Sequence, residues 1–353
     1  MSTFRSFARR ALTFGLLAGL ANCAPGLVAP RSTGLGGIAP FPIGVSVYGP
    51  TLKNNPRYRE AILRDFNSVT AEVEMKMGAL KPVSATEYNW EDADYLVKFA
   101  KDNRMRVHGH TLIWHVVQPR WLETLPNDSA TWEAVMRDHI QTTIRHFKGD
   151  VHAWDVVNEA YETSGELSNT MWRKHLGPGY VARAFRYARA ADPKAKLFYN
   201  DFDLEGGPNK LNAVLVRLDE LKAQGVPIDG VGLQMHSSLT THTPSVIDAL
   251  EKLAARGYLI HISEMDVAVN LYNLPTTRVL TPQLLADQKQ KYKEIVAAYL
   301  KIPRLQQYGI TMWGVHDGQT WLRENRPEWP LLLDDDFKYK PAYEGFVEAL
   351  RGK

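Results

Sequence analysis

Short apolar runs alternate with longer amphipathic stretches along most of the chain. Eight of these runs, at residues 41–47, 67–71, 106–110, 152–157, 197–200, 230–234, 259–263 and 310–313, have the length of β-strands. Between most of them apolar side chains recur every three or four positions, at 92–101, 130–147, 179–190, 211–224, 244–255 and 282–300, which predicts helices with one buried face. Asp, Ser, Thr or Pro stand at the helix starts, and Asn103, Gly149, Gly225 and Gly257 at several of the ends. Eight strand–helix alternations within residues 41–353 predict an α/β protein built as a single (β/α)8 TIM barrel. An open doubly wound sheet shares the alternation. It usually carries a Gly-rich phosphate loop after its first strand, and Gly44, Val45, Ser46 and Val47 do not make one.

The pattern changes at the N-terminus. Arg5, Arg9 and Arg10 precede an apolar run at 11–21, followed by Asn22, Cys23, Ala24 and Pro25. A run of eleven residues is too short to cross a bilayer as a helix, so residues 1–23 read as an export signal and not as a membrane span. The pair Arg9 and Arg10 is weakly similar to a twin-arginine signal, and residues 20–23 to a lipoprotein cleavage site with Asn22 where a small residue is usual. The expected location is secreted or periplasmic, with a lipid anchor at Cys23 as a variant. Cys23 is the only cysteine, so no disulfide can form within the chain. Residues 24–40, rich in Pro, Gly, Ser and Thr, are expected to be a flexible linker.

Composition narrows the partner. With 42 basic and 39 acidic residues the formal net charge is +3, which gives no basic field for nucleic acid and leaves a neutral polymer as the easier partner. A chain of 353 residues buries enough apolar surface to fold without a disulfide or metal staple, and a monomer is expected. The abundant Trp and Tyr suit stacking on flat apolar faces, or simply an aromatic core.

A TIM barrel gathers its working residues at the C-terminal ends of its strands. Those ends carry, in order, Glu72, Glu74 and Lys76; His108 and His110; Asn158 and Glu159; Asn200 and Asp201; Gln234 and His236; Glu264 and Asp266; and Trp313. Any one of the ionisable or amide side chains could be a helix cap or a surface charge, but their recurrence at six of the eight ends points to one shared site. No Ser or Cys stands beside a base, and no phosphate cradle is present, which leaves two chemistries. Glycoside cleavage needs one carboxyl to protonate the leaving oxygen and a second to attack or to activate water. Glu159 after the fourth run and Glu264 after the seventh would face each other across the barrel opening. A gap of ~5–5.5 Å would mean retention of configuration through a covalent intermediate, and ~6.5–9.5 Å inversion. Metal-assisted hydrolysis is the other option, because the spacing of His108 and His110 resembles the metal motif of barrel amidohydrolases. Those enzymes carry it on the first strand with an Asp after the eighth, whereas here it lies on the third and the eighth ends in Met312 and Trp313. A site histidine beside a packed one is the better account, and neither metal nor cofactor is expected.

The same residues, in the same order, resemble glycoside hydrolase family 10, the endo-β-1,4-xylanases built on a (β/α)8 barrel, from about Phe41 to the C-terminus. Residues 110–115 (HTLIWH) resemble the family's GHTLVWH stretch and 154–160 (WDVVNEA) its acid/base motif. Residues 199–202 (YNDF) match its YND segment, 229–236 (DGVGLQMH) its IDGVGLQSH segment and 261–266 (HISEMD) its HITELD nucleophile motif. The stretch around Trp313, the later Trp321 and the closing KPAY at 340–343 complete the series. The resemblance implies a retaining endo-1,4-β-xylanase acting on β-1,4-linked polysaccharide, with Glu159 as acid/base and Glu264 as nucleophile. Asn158 would hold the 2-hydroxyl of the sugar at the scissile (−1) position. His236 would bridge Glu264 and Asp266 and help keep the nucleophile ionised, and Gln234 would support the acid/base. Lys76, His110 and Trp114 would line the −1 sugar, with Trp313 and Trp321 as its roof and glycone wall, and Glu72 would be a further substrate-binding or supporting residue.

Three of the departures from the family pattern matter. Its ENEMKW run reads Glu72, Val73, Glu74, Met75, Lys76, Met77, so Val73 replaces an Asn that contacts the −2 sugar. Val117 stands where a Gln follows the Trp–His pair, with Gln118 displaced by one, and Asp203 replaces the second Asn of YNDYN. Both valines are expected in the −2 pocket, where each lost hydrogen bond would cost ~0.5–1.5 kcal/mol unless Gln118 compensates. This leaves open a retaining β-glycosidase on the same barrel with another glycone: a cellobioside, an aryl glycoside or a glycosylated plant metabolite. A carbohydrate-binding barrel without catalysis would be expected to lack one of the two carboxylates, and both are present.

Overall fold

Among the described residues there are nine β-strands, eight of them where the apolar runs leave no polar face to solvate. They are β1 (Ile43–Val47), β2 (Ser68–Ala71), β3 (Arg106–Gly109), β4 (Ala153–Asn158), β5 (Lys196–Asp201), β6 (Gly230–Leu233), β7 (His236–Ser238), β8 (Leu259–Ala268) and β9 (Gln307–Met312). The computed structural model describes residues 32–270, 279–323 and 326–352, so the expected signal at 1–23 and Cys23 lie outside the described residues. Strands β1, β2 and β6 are buried at every position, as parallel strands covered on both faces must be. All pairings are parallel, in the order β1-β2-β3-β4-β5-β6-β8-β9, and β9 pairs back onto β1. The result is the expected closed (β/α)8 barrel. The three-residue β7, absent from the apolar pattern, pairs with the outer half of β8.

Helices at Glu91–Asp102, Ser129–His146, Tyr180–Ala191, Pro208–Ala223, Thr243–Ala255 and Pro282–Leu300 fall where the periodicity predicts them. Their ends have local causes. Asp128 accepts the Thr131 N–H at 2.8 Å and Thr281 that of Leu284 at 3.2 Å, which satisfies helix-start donors. Gly225 and Gly257 stop their helices with φ of 66° and 80°. Inside the barrel, below the strand ends, Phe198 and Tyr308 pack at 4.5 Å, and His108 and His261 lie against them. Among the described residues no helix is long and apolar enough to cross a membrane.

The packed body starts before the linker was expected to end. Leu35–Ile38 form a helical turn, Leu35 is fully buried, and the Gly34 N–H donates to Arg64 O at 2.8 Å. Asn67 Nδ2 donates to Gly36 O at 2.7 Å. Gly36 sits so close to Asn67 that the segment can lie flat on the barrel and bury Leu35. Composition alone suggested a linker because Gly, Ser and Pro dominate the stretch around Leu35.

Candidate active site

The ends of the strands converge on a cavity of about 580 Å³. It is lined by Glu72, Lys76, His110, Trp114, Asn158, Glu159, Gln234, His236, Glu264, Trp313 and Trp321, together with Val73, Phe202, Asp203 and Glu205. Asp266 lies just behind this wall, where its Oδ2 accepts from Trp321 Nε1 at 3.0 Å and faces His236 Nδ1 at 2.9 Å.

Glu159 follows β4 directly, with a left-handed φ of 54° that its N–H secures by donating to Asn200 O at 2.9 Å. An L-residue held there costs roughly 1–2 kcal/mol, so surrounding contacts must fix it. Its carboxyl receives three N–H groups. Trp114 Nε1 donates to Oε2 at 2.8 Å, while Gln234 Nε2 and Asn158 Nδ2 donate to Oε1 at 2.8 and 3.1 Å. Trp114 is itself braced, because its carbonyl accepts from Trp172 Nε1 at 2.8 Å.

Glu264 lies within β8, where the register against β9 shifts between Ile262 and Met265. Such an irregularity re-aims side chains. Asn200 Nδ2 donates to Glu264 Oε1 at 2.7 Å and also to Asn158 Oδ1 at 2.8 Å, which links the surroundings of the two carboxyls. Ser263 Oγ donates to Asn200 Oδ1 at 2.6 Å and so sets which way that amide points. His236 Nε2 is 3.3 Å from Glu264 Oε2. Burial works against the charge of Glu264, but the His236 hydrogen bond and the electrostatic pull of the neighbouring His110, His236 and Lys76 outweigh it and hold the carboxyl below its ordinary value. Burial also works against a charged His236, yet Asp266 and then Glu264 push it up to about 10. His236 is therefore an imidazolium at neutral pH, with an N–H for each of its two carboxylates.

Opposite, Lys76 Nζ lies 4.7 Å from the Trp114 ring centre and 6.0 Å from that of Trp313. Burial lowers its pKa, against the pull of Glu264, Glu72 and Glu159. Burial raises Glu72 to about 7 despite Lys76. His108 and His110 do not form a metal pair: Asp155 takes both, at 3.0 Å from His108 Nε2 and 2.9 Å from His110 Nδ1. Among the described residues no group of three or more His, Cys, Asp or Glu could hold a metal ion. Only His110 reaches the cavity, and its edge meets Trp313 at 5.3 Å.

The departures from the family pattern separate in space. Val73 lines the cavity, whereas Val117 does not; it is 39% exposed, with a φ of 53° and its carbonyl accepting from Gly78. Gln118 turns its amide nitrogen back to the Trp114 carbonyl, so it does not take the place of either lost side chain. Asn200, Phe202 and Glu205 were given no role from the sequence. A signal existed for Asn200, which ends a strand, and none for Glu205.

A model of glycosyl hydrolase family 10 matches residues 38–349. Endo-1,4-beta-xylanase A of Cellvibrio japonicus is 38% identical over 91% of this chain, and the chain spans 57% of that protein. Exoglucanase XynX of Acetivibrio thermocellus is 34% identical over 86% of this chain, which spans 28% of it. Among solved structures, xylanase 10B from Thermotoga petrophila RKU-1 in complex with xylobiose superposes with a TM-score of 0.85 at 34% identity, covering 91% of this chain and 98% of that one. The chain thus spans little more than half, or less, of the full-length relatives and nearly all of the solved xylanase.

Proposed function

The chain belongs to glycosyl hydrolase family 10, and from that membership we propose that it hydrolyses internal β-1,4-xylosidic bonds of xylan with retention of configuration. The observation that carries this reading is the unlike treatment of two carboxyls in one cavity. Glu264 is held ionised by an imidazolium, and Glu159 is oriented by three neutral N–H donors. In the first step Glu264 attacks the anomeric carbon while Glu159 passes its proton to the departing glycosidic oxygen. Esterification removes the charge of Glu264 and leaves Glu159 ionised. Glu159 then takes a proton from water as that water attacks the anomeric carbon and releases Glu264. Asn158, bonded to both Glu159 and Asn200, is positioned to hold the 2-hydroxyl of the reacting sugar. Trp313 and Trp321 offer flat faces to its C–H groups.

Anomeric NMR of the first products from xylan tests the reading. The β-anomer should appear first, and an initial α-anomer would rule out retention. A second reading, a different sugar two places before the cut, draws on the apolar Val73 in the cavity and on the relative named an exoglucanase. Faster release from a cellobioside than from a xylobioside would favour it. The basic and apolar N-terminal residues support export, which a secreted, shortened product would verify.

A further inference from the structure

Asp201 ends β5 beside the two carboxyls, yet the mechanism above gives it no task and it forms no part of the cavity wall. Asn200 points inward to Asn158 and Glu264, so its neighbours Tyr199 and Asp201 face the opposite side of the strand. There Asp201 Oδ1 accepts from Lys210 Nζ at 2.8 Å and from the Phe202 N–H at 2.9 Å, and Oδ2 accepts from the Tyr199 hydroxyl. The Tyr199 oxygen in turn accepts the N–H of Ala160, the residue after Glu159, at 3.2 Å. Ala160, Tyr199, Asp201 and Lys210 are all buried, so a closed chain of polar contacts runs from an ion pair to the turn that carries the acid/base carboxyl.

Two features of this chain work against stability. A buried ion pair is seldom better than apolar side chains of the same shape. Lys210 is also the third residue of the helix Pro208–Ala223, at the end whose dipole disfavours a cation. Rules broken locally in this way mark a use elsewhere, and the far end of the chain supplies one. Glu159 holds its left-handed φ of 54° where the sheet ladder is weakest, because the register of β4 against β5 shifts between Asp155 and Val157. The N–H of Glu159 is taken by Asn200 O, but that of Ala160 needs an acceptor in a place closed to solvent. Burial, and then the Asp201 charge, push the Tyr199 phenol well above its ordinary value, so it keeps its one proton. With that proton given to Asp201, only lone pairs are left to face Ala160. Without the carboxylate the hydroxyl could turn its hydrogen toward the N–H and repel it. Burial pushes Asp201 itself up to about 7, against Lys210 and Tyr199 and with the Glu159 charge adding to the rise, so the two acids sense each other. We infer that Lys210, Asp201 and Tyr199 are positioning residues that brace the turn at Glu159 from behind and so aim its carboxyl at the leaving oxygen. The brace rests on the reading proposed above, in which Glu159 is the acid.

Two substrates test this with the full chain, above the pH at which Asp201 ionises. The leaving sugar of xylotetraose needs a proton from Glu159, whereas the phenolate of dinitrophenyl xylobioside departs without one, and kcat/KM reads the first step on both. Tyr199→Phe removes one oxygen and keeps the ring. It should lower kcat/KM on xylotetraose by about 10–100-fold, the scale of a misplacement near 1 Å, and on the dinitrophenyl substrate by less than about threefold. Asp201→Asn combined with Lys210→Met removes both charges at similar volume and should move the ratio of the two values in the same direction. Because a ratio within one preparation is read, loss of folded protein cancels, and either variant serves if the other does not fold. A role in packing alone lowers both values equally, or leaves both as they were while the melting temperature falls. Either result overturns the brace, and so does an unmoved ratio in the charge-free double variant. Failure of the wild type to cleave xylotetraose would instead remove the xylanase reading, and the brace with it.

Discussion

The charge of Glu264 is kept by its neighbours against its burial, and His236 is the main one among them. The consequence has a definite sign. A carboxyl held below its ordinary 4.5 stays ionised as the pH falls past that value, so the acid limb of kcat/KM should lie below it. In His236→Ala only burial and the remaining neighbours act, so the limb should move to higher pH while kcat falls. A pH–rate profile reads both, and an unmoved limb would show that His236 does not hold the charge. Glu159 is tested by leaving group. Glu159→Gln should slow xylan hydrolysis by roughly 10²–10⁴-fold, the usual worth of a positioned acid. It should spare the first step on an aryl glycoside whose phenolate departs without a proton, and equal losses on both substrates would contradict the role. Val73 lines the cavity and Val117 does not. Val73→Asn should therefore raise kcat/KM on xylotetraose by about 2–10-fold if a sugar hydroxyl lies there, and Val117→Gln should do less. Comparable values for Val73→Asn and the wild type would show that the valine costs nothing on xylan.

At the scale of elements, the site depends on how strands register against one another. Asn200 on β5 reaches both Asn158 and Glu264 because β6 presents Gly232 beside it, and a Cβ at that position would collide with Asn200 Oδ1. Gly232→Ala should displace the amide and cut kcat by up to about 10²-fold, the scale expected for a misplacement near 1 Å. The melting temperature should change far less than the rate. A loss of folding in proportion to activity would mean that the glycine serves packing alone. This dependence explains which parts of the site could be read in advance. Strand ends such as Glu159 and Gln234 are marked locally, by an apolar run that stops at a polar side chain. The shifts in register at Asp155–Val157 of β4 and Ile262–Met265 of β8 belong to pairs of strands and leave no trace in either strand alone. Glu205 was invisible for a related reason. Its place in the cavity wall is a property of the folded surroundings and not of the residue. Spacing from Trp114 along the chain likewise said nothing of the loop at Val117, which turns that side chain outward at a φ of 53°.

At the scale of the whole molecule, a barrel of this kind separates stability from activity by end: the C-terminal face of the strands works and the opposite face holds. Leu35 belongs to the second. Its helical turn precedes β1, hydrogen-bonds to the segment 64–67 just ahead of β2, and adds Leu35 to the same buried cluster that runs through Ile43, Ile310 and Ala349. It lies far along β1 from the end that leads to the cavity of Glu159 and Glu264. Leu35→Ala removes a fully buried side chain, and truncations of this type cost about 2–5 kcal/mol, depending on how far the surroundings collapse. The variant should thus melt several degrees lower, while kcat and KM on xylan at room temperature stay as they were. Thermal unfolding followed alongside the rate decides it. An unchanged melting temperature would return residues 35–38 to the status of a linker. A fall in kcat at temperatures where the variant is fully folded would mean that the two ends of the barrel are coupled, and that the geometry around Glu159 and Glu264 depends on how the chain is closed at its base.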